Sequence, residues 1–220
     1  MSNILITGAN RGIGLELTRQ LSERGESVTG VCRQSSQELE DCATEVWEGI
    51  DVGMDACVSS LREKSAGRTF DWVINNAGIL RRSDFPNLHW EDMRAQFEVN
   101  SLGPLRVVAG LRDSLGSGGK VGIVTSRMGS VGDNTSGGAY GYRMSKAAVN
   151  MAGVSLAHEL REQGIAVALL HPGWVQTDMT GHRGQVSAED SAKGLIARLD
   201  QLSMDTSGQF WHASGEDLPW

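Results

Sequence analysis

The feature that most constrains this chain is an alternation of seven short apolar runs with longer, helix-like stretches. The runs are Ile4 to Thr7, Ser27 to Cys32, Thr44 to Trp47, Trp72 to Ile74, Val121 to Thr125, Ile165 to Leu170 and Gln209 to Trp211. Strands that alternate with helices pair in parallel and carry helices on both faces of the sheet. Between the first two runs, Ile13, Leu17 and Leu21 recur every fourth residue and form one apolar helix stripe, closed by Gly25. The opening of the chain is therefore a βαβ unit. A later helix, from about Tyr142 to Gln163, carries the small residues Ala147, Ala148, Ala152 and Gly153, which allow close approach to the sheet or to another helix, and ends before Gly164.

With 220 residues, one α/β domain spanning 1–220 is expected. The Gly/Ser-rich stretches Ser114 to Gly119 and Gly129 to Gly138 read as joins between neighbouring elements rather than domain boundaries. No apolar run approaches the roughly 18 residues of a membrane span. A formal net charge of -7 leaves no basic excess for nucleic acid or anionic lipid, so neither is expected as a partner. Cys32, Cys42 and Cys57 are odd in number and form no CxxC pair, and the five histidines lack ligand spacing, so neither a disulfide framework nor a metal site is expected. Met1 to Asn3 run directly into Ile4-Leu5-Ile6 without room for a leader, which reads as cytoplasmic.

Thr7-Gly8-Ala9-Asn10-Arg11-Gly12-Ile13-Gly14 sits where the first strand passes into the first helix. Glycines there permit a tight turn and close approach of a pyrophosphate, and the helix N-terminus offers unpaired N–H groups and a positive dipole end. In NAD-binding versions an acidic residue roughly 20 positions later holds the ribose hydroxyls, but here the neighbourhood reads Val31-Cys32-Arg33. A guanidinium in that place suits a 2′-phosphate, and Arg11 adds a second positive charge, so NADPH is expected rather than NADH.

Tyr142 and Lys146 stand four apart on the later helix and share a face. A phenol is a poor acid or base at neutral pH unless an adjacent cation stabilises the phenolate, which gives the spacing a chemical use. Ser126 ends the Val121 to Thr125 strand, at the carboxyl edge where open parallel sheets bind ligands, and its hydroxyl can reach a substrate carbonyl. Asn75-Asn76-Ala77-Gly78 follows the Trp72 to Ile74 strand at the same edge, and Asn100 follows a helical segment containing Met93 and Phe97. Strand-end asparagines and serines also satisfy turns through local backbone bonds.

Taken together, these motifs resemble the short-chain dehydrogenase/reductase superfamily over essentially the whole chain. Thr7 to Gly14 matches its TGxxxGxG loop, Asp51-Val52 its adenine-side pair and Asn75 to Gly78 its NNAG segment; Asn100, Ser126, Tyr142 and Lys146 match its active-site residues. Pro172-Gly173, with Val175 and Thr177, matches the segment beside nicotinamide. The stretch His171 to Met179 and the ending Gly208 to Trp220 look most like the carbonyl reductase branch that contains the sniffer and C-factor proteins. The resemblance implies a Rossmann-type doubly wound, seven-stranded parallel sheet and NADPH-dependent reduction of a carbonyl. It gives Tyr142 the role of proton donor, Ser126 that of polarising the carbonyl and Lys146 that of holding the nicotinamide ribose. Asn100 would hold a water linking Lys146 to solvent. It also implies a homodimer or homotetramer, with Leu218-Pro219-Trp220 available to a neighbouring subunit. The alternative reading is a nucleotide-binding regulatory protein of the C-factor type.

Two departures from the family pattern stand out. Sixteen positions separate Ser126 from Tyr142, which implies an insertion and brings in Ser130 as a rival; Ser126 is preferred because it directly follows its strand. Tyr140 is offset from the face of Lys146 and is assigned to packing or the pocket rim. Between Thr180 and Ser187 little material is left for a substrate lid, so an open pocket lined by Met128, Trp174 and Met179 is expected.

Overall fold

The computed structural model describes residues 1–220 and gathers all seven apolar runs into one sheet of order β3-β2-β1-β4-β5-β6-β7. The strands are β1 (Asn3–Thr7), β2 (Ser27–Val31), β3 (Glu45–Trp47), β4 (Phe70–Asn75), β5 (Leu115–Val124), β6 (Ala166–His171) and β7 (Phe210–His212). Every neighbouring pair is parallel. The helices are α1 (Gly12–Glu23), α2 (Gln37–Cys42), α3 (Ala56–Lys64), α4 (Trp90–Phe97), α5 (Gly103–Gly110), α6 (Tyr140–Glu159) and α7 (Ala188–Gln201). None is long and apolar enough to cross a membrane.

Alternation along each strand sorts the helices onto two faces. Ile4 and Ile6 of β1 join Ile74 of β4 and Leu170 of β6 in a core closed by Leu17 and Leu21 of α1 and by Leu195 and Leu199 of α7. Leu5, between the two isoleucines, points the other way, into a cluster with Val73, Cys57 and Leu61 of α3 and Val107 of α5. Val121, Ile123 and Val167 continue that second face beneath Val149 and Leu156 of α6. The seven-stranded, doubly wound architecture expected from the sequence is thus present, and the order of winding reverses between β1 and β4.

The boundaries differ in two instructive places. The glycine-rich stretch from Ser114 is not a plain join, because β5 begins at Leu115 and pairs with Phe70 before a register shift carries the next pairing to Trp72 and Lys120. The glycines absorb that irregularity, and a side chain at Gly119 would lie 2.7 Å from the Gly116 carbonyl oxygen. Helix α6 starts at Tyr140 rather than Tyr142. Ala139, held left-handed at φ 46°, turns the chain into the helix while its N–H donates to Asp84 Oδ1 at 2.6 Å.

Gly153 is where α6 comes closest to the sheet: a Cβ there would meet Leu169 Cδ2 at 2.7 Å and Cγ at 3.0 Å. Ala in place of Gly gains about 1 kcal/mol of helix propensity, whereas overpacking a close-packed core costs about 1–3 kcal/mol. Because Leu169 is fully buried and has nowhere to retreat, the second effect wins. Gly153→Ala is expected to lower the free energy of unfolding by about 1–2 kcal/mol, read from the urea midpoint.

Candidate active site

The reversal between β1 and β4 leaves a crevice at the carboxyl edge of the sheet, and its two sides are tied together by polar bonds. The Asn76 amide donates to the carbonyls of Thr7 and Gly8, both at 3.1 Å, while the Thr7 hydroxyl accepts from the N–H groups of Asn76 and Ala77 at 3.1 and 3.2 Å. Asn76 therefore braces the glycine-rich loop. Gly14 has no alternative, since a Cβ there would lie 2.1 Å from the Gly8 carbonyl oxygen. Gly8 and Gly12 have φ values of 65° and 55°, which favour glycine. No side chain caps α1, and no acidic residue occupies its first turn. The N–H groups at Gly12, Ile13 and Gly14 therefore begin the helix beside a loop of bare backbone, the chemistry that a diphosphate requires.

The remaining nucleotide-side candidates fall around this loop. The Asn10 carbonyl accepts from the Ser36 hydroxyl at 2.9 Å. Arg33 lies beyond the end of β2, two-thirds exposed, with its guanidinium 3.9 Å from Asp51. Asp51 itself accepts from Gly53 N–H at 2.9 Å, and Val52 is buried. Across the loop, the segment after β6 folds over α1. The Arg11 guanidinium pairs with Asp178 at 3.1 Å, and the Thr177 methyl would lie 3.3 Å from a Cβ on Gly12. Gly173 adopts φ 89°, and the Pro172 carbonyl accepts from the Ser191 hydroxyl at 2.8 Å. Val175 is buried and bridges to Val186, so residues 174–186 form a short cross-linked loop where a lid helix would otherwise stand. Trp174 and Met179 remain about half exposed on it.

On the substrate side, Ser126, Tyr142 and Lys146 come together as expected from the sequence. The Ser126 hydroxyl oxygen accepts from Met128 N–H at 3.1 Å, and Ser126 stands near enough to the Tyr142 phenol to favour its phenolate. The Ser130 hydroxyl oxygen likewise accepts a backbone N–H, from Asp133 at 3.0 Å; of the two serines it is Ser126 that acts on the Tyr142 phenol. Lys146 Nζ lies 5.8 Å from the centre of the Tyr142 ring and donates to the Val124 carbonyl at 3.0 Å. Burial pushes Tyr142 up to about 12, partly opposed by the nearby Ser126. Burial also pushes Lys146 down to about 8. The tyrosine value is thus raised by burial in this arrangement, where a drop beside the lysine was expected. At neutral pH the pair is a protonated phenol next to an ammonium. Tyr140 is 42% exposed and lies apart from this cluster.

Asn100 is placed by a feature that sequence periodicity did not reveal. Residues Glu98–Leu102 form a π-helical turn between α4 and α5, a distortion frequent at functional sites. Its side chain is fully employed: Nδ2 donates to the Ile79 carbonyl at 2.9 Å and to Ser145 Oγ at 3.0 Å, and Oδ1 accepts from Ile79 N–H at 2.8 Å. These bonds staple the loop after Gly78 to α6. Sequence reasoning also missed Ser145, Asp84 and Arg143. Arg143 donates to Gly137 and Met128 carbonyls and to Ser136 Oγ, tying down the inserted loop. The C-terminal Trp220 stacks on Phe210 at 5.3 Å, and its carbonyl accepts from Gly132 N–H at 2.8 Å.

A family model described as short chain dehydrogenase matches residues 2–187. Over 100% of both chains, the protein is 43% identical to 1-hydroxy-2-glutathionyl-2-methyl-3-butene dehydrogenase of Rhodococcus sp. (strain AD45). It is 46% identical to C-signal of Myxococcus xanthus over 68% of this chain and 92% of that one. Among solved structures it is similar to NADPH-bound carbonyl reductase from chicken fatty liver, with a TM-score of 0.90, 29% identity, and 100% and 99% of the two chains covered. The carbonyl reductase Sniffer of D. melanogaster gives a TM-score of 0.90 at 28% identity, covering 100% of both.

The depressed lysine makes a thermodynamic prediction. As pH rises through about 8, folded Lys146 releases its proton while the unfolded chain holds it up to the ordinary value of 10.5. The unfolded state then binds more protons, so stability rises with pH across that window. The rise relative to Lys146→Met should reach about 3 kcal/mol at most, measured by denaturant unfolding at several pH values; parallel curves for the two proteins would contradict it.

Proposed function

From the chain's membership of the short-chain dehydrogenase family, a family of oxidoreductases, we propose that it is an NADPH-dependent carbonyl reductase in which Tyr142 delivers the proton. The observation that carries this reading is the convergence of Ser126, Tyr142 and Lys146 across the crevice from the uncapped start of α1. Gly8, Gly12, Ile13 and Gly14 would receive the diphosphate, Arg33 a 2′-phosphate, and Pro172, Gly173, Val175 and Thr177 would flank the nicotinamide. When bound, the cofactor supplies a hydride to the carbonyl carbon.

The protein's own residues then handle the oxygen. The Tyr142 hydroxyl, kept protonated by burial, gives its proton to the carbonyl oxygen as negative charge develops there. The Ser126 hydroxyl donates a second hydrogen bond to that oxygen. Lys146, still largely an ammonium at neutral pH, stabilises the phenolate left behind, so proton and charge balance within the site. Asn100 acts as a positioning residue for Ile79 and Ser145. The short loop at 174–186 and the half-exposed Trp174 and Met179 suit a bulky, apolar carbonyl compound.

The relative from Rhodococcus is named for dehydrogenation of a glutathionyl alcohol, which favours the same chemistry in reverse, with deprotonated Tyr142 as the base. The likeness to C-signal favours a regulatory protein that binds nucleotide without rapid turnover. One comparison separates these readings. Tyr142→Phe should cut turnover of a carbonyl panel by about 10²-fold or more while leaving the NADPH dissociation constant, read by cofactor fluorescence, within a few-fold. Arg33→Ala should weaken NADPH binding by about tenfold or more and leave NADH binding nearly unchanged. Tight NADPH binding with no turnover in either direction would transfer support to the regulatory reading.

A further inference from the structure

The reacting groups reach the site on two different elements, Ser126 at the end of β5 and Tyr142 with Lys146 on α6, so their spacing depends on how the helix sits against the strand end. Apolar contacts between them, such as Val149 and Leu156 over Val121 and Ile123, are non-directional and tolerate sliding. One directional link crosses the junction through a reacting group, Lys146 Nζ to the Val124 carbonyl at 3.0 Å. It must share or exchange its partner when cofactor and carbonyl arrive, so it cannot serve as a fixed reference.

A second link does not involve the reacting groups. The Thr125 hydroxyl, immediately before Ser126, donates to Asn150 Oδ1 at 2.6 Å. It also lies 3.5 Å from the Lys146 carbonyl. Asn150 stands one helical turn beyond Lys146, so the residues at 142, 146 and 150 share one face of α6. Thr125 is 2% exposed and Asn150 4%, which makes the bond a dry, short and geometrically demanding one. The strand side of the link is fixed in turn, because Thr125 N–H donates to the Leu170 carbonyl of β6 at 2.8 Å. On its other flank the same turn of α6 is held through Ser145, which receives Asn100 and, at its carbonyl, Ser101.

We propose that the Thr125–Asn150 hydrogen bond sets the position of Ser126 against Tyr142, which makes Thr125 and Asn150 positioning residues of the site. Its catalytic consequence rests on the roles assigned above to Ser126 and Tyr142, while the placement itself is a matter of geometry and is read without turnover. Thr125→Val removes the hydroxyl at nearly constant shape; Thr125→Ser keeps it.

The chain has two tyrosines, so labelling with 3-fluorotyrosine gives two ¹⁹F resonances, assigned with Tyr140→Phe, and the fluorinated phenol titrates in an accessible range. In Thr125→Val the Tyr142 resonance is expected to move and to titrate at higher pH than in the parent, because a displaced Ser126 favours the phenolate less. Thr125→Ser should follow the parent. Carbonyl turnover in Thr125→Val should fall by about tenfold to a hundredfold in kcat, with KM and the NADPH dissociation constant within about threefold. The same comparison from the helix side uses Asn150→Leu against Asn150→Asp, which keeps the acceptor oxygen, should Thr125→Val fold poorly. An unchanged Tyr142 resonance and titration midpoint in folded Thr125→Val would overturn the proposal whatever the turnover. A parent protein with the expected ¹⁹F behaviour but no carbonyl turnover would support the positioning link and count against the reductase reading alone.

Discussion

Where β1 and β4 lie side by side, the Asn76 amide grips the carbonyls of Thr7 and Gly8 while the Thr7 hydroxyl receives the backbone N–H groups of Asn76 and Ala77. This reciprocal brace holds together the two strands at which the winding of the sheet reverses, and the rest of the site is arranged around it. It fixes the glycine-rich loop against the end of β4, keeps Gly14 within contact of the Gly8 carbonyl, and so aims the start of α1 into the crevice. A parallel sheet without such a reversal would carry its loops past one another with no gap to receive a ligand.

The opposite wall is built on a different principle. Tyr142 and Lys146 are buried enough that loss of solvation disfavours their charged forms, which explains why the phenol rises and the ammonium falls from their ordinary values. Around them stand side chains held by bonds of their own: Asn100 with Ile79 and Ser145, and Thr125 with Asn150. Rigid surroundings of this kind favour charge that appears only during reaction, because the dipoles are already in place. The substrate side is looser in character. Its loops are held by a few polar contacts, among them Asp84 on Ala139, Trp220 on Gly132 and Arg143 on Gly137 and Ser136, and they expose Phe85, Val131 and Trp174.

Much of this was legible before any coordinates. Alternating apolar runs identified every strand, because residues buried on both faces of a parallel sheet admit little else. Gly8, Gly12 and Gly14 marked the turn, and the spacing of Tyr142 and Lys146 placed both on one face of α6. The errors have local physical causes. Leu115 to Gly119 reads as a join because glycine composition conceals a strand that tolerates a register shift. The π-helical turn at Asn100 has no periodic signature over five residues. The start of α6 is set by Asp84, 55 residues away from Ala139 in sequence, which no local pattern reports.

The sequence by itself therefore determined the fold class and the winding, and it brought forward the candidate site residues, since each depends on local periodicity or on residue types at short spacing. Only the tertiary structure decided which polar side chains act and which brace, because that follows from partners distant along the chain. It made Asn76 a brace for the glycine-rich loop, tied Asn100 to Ile79 and Ser145, stacked Trp220 on Phe210, and raised Tyr142 through burial. Burial and long-range hydrogen bonds exist only once the helices have closed over the sheet, and it is these that set the protonation and the aim of the site.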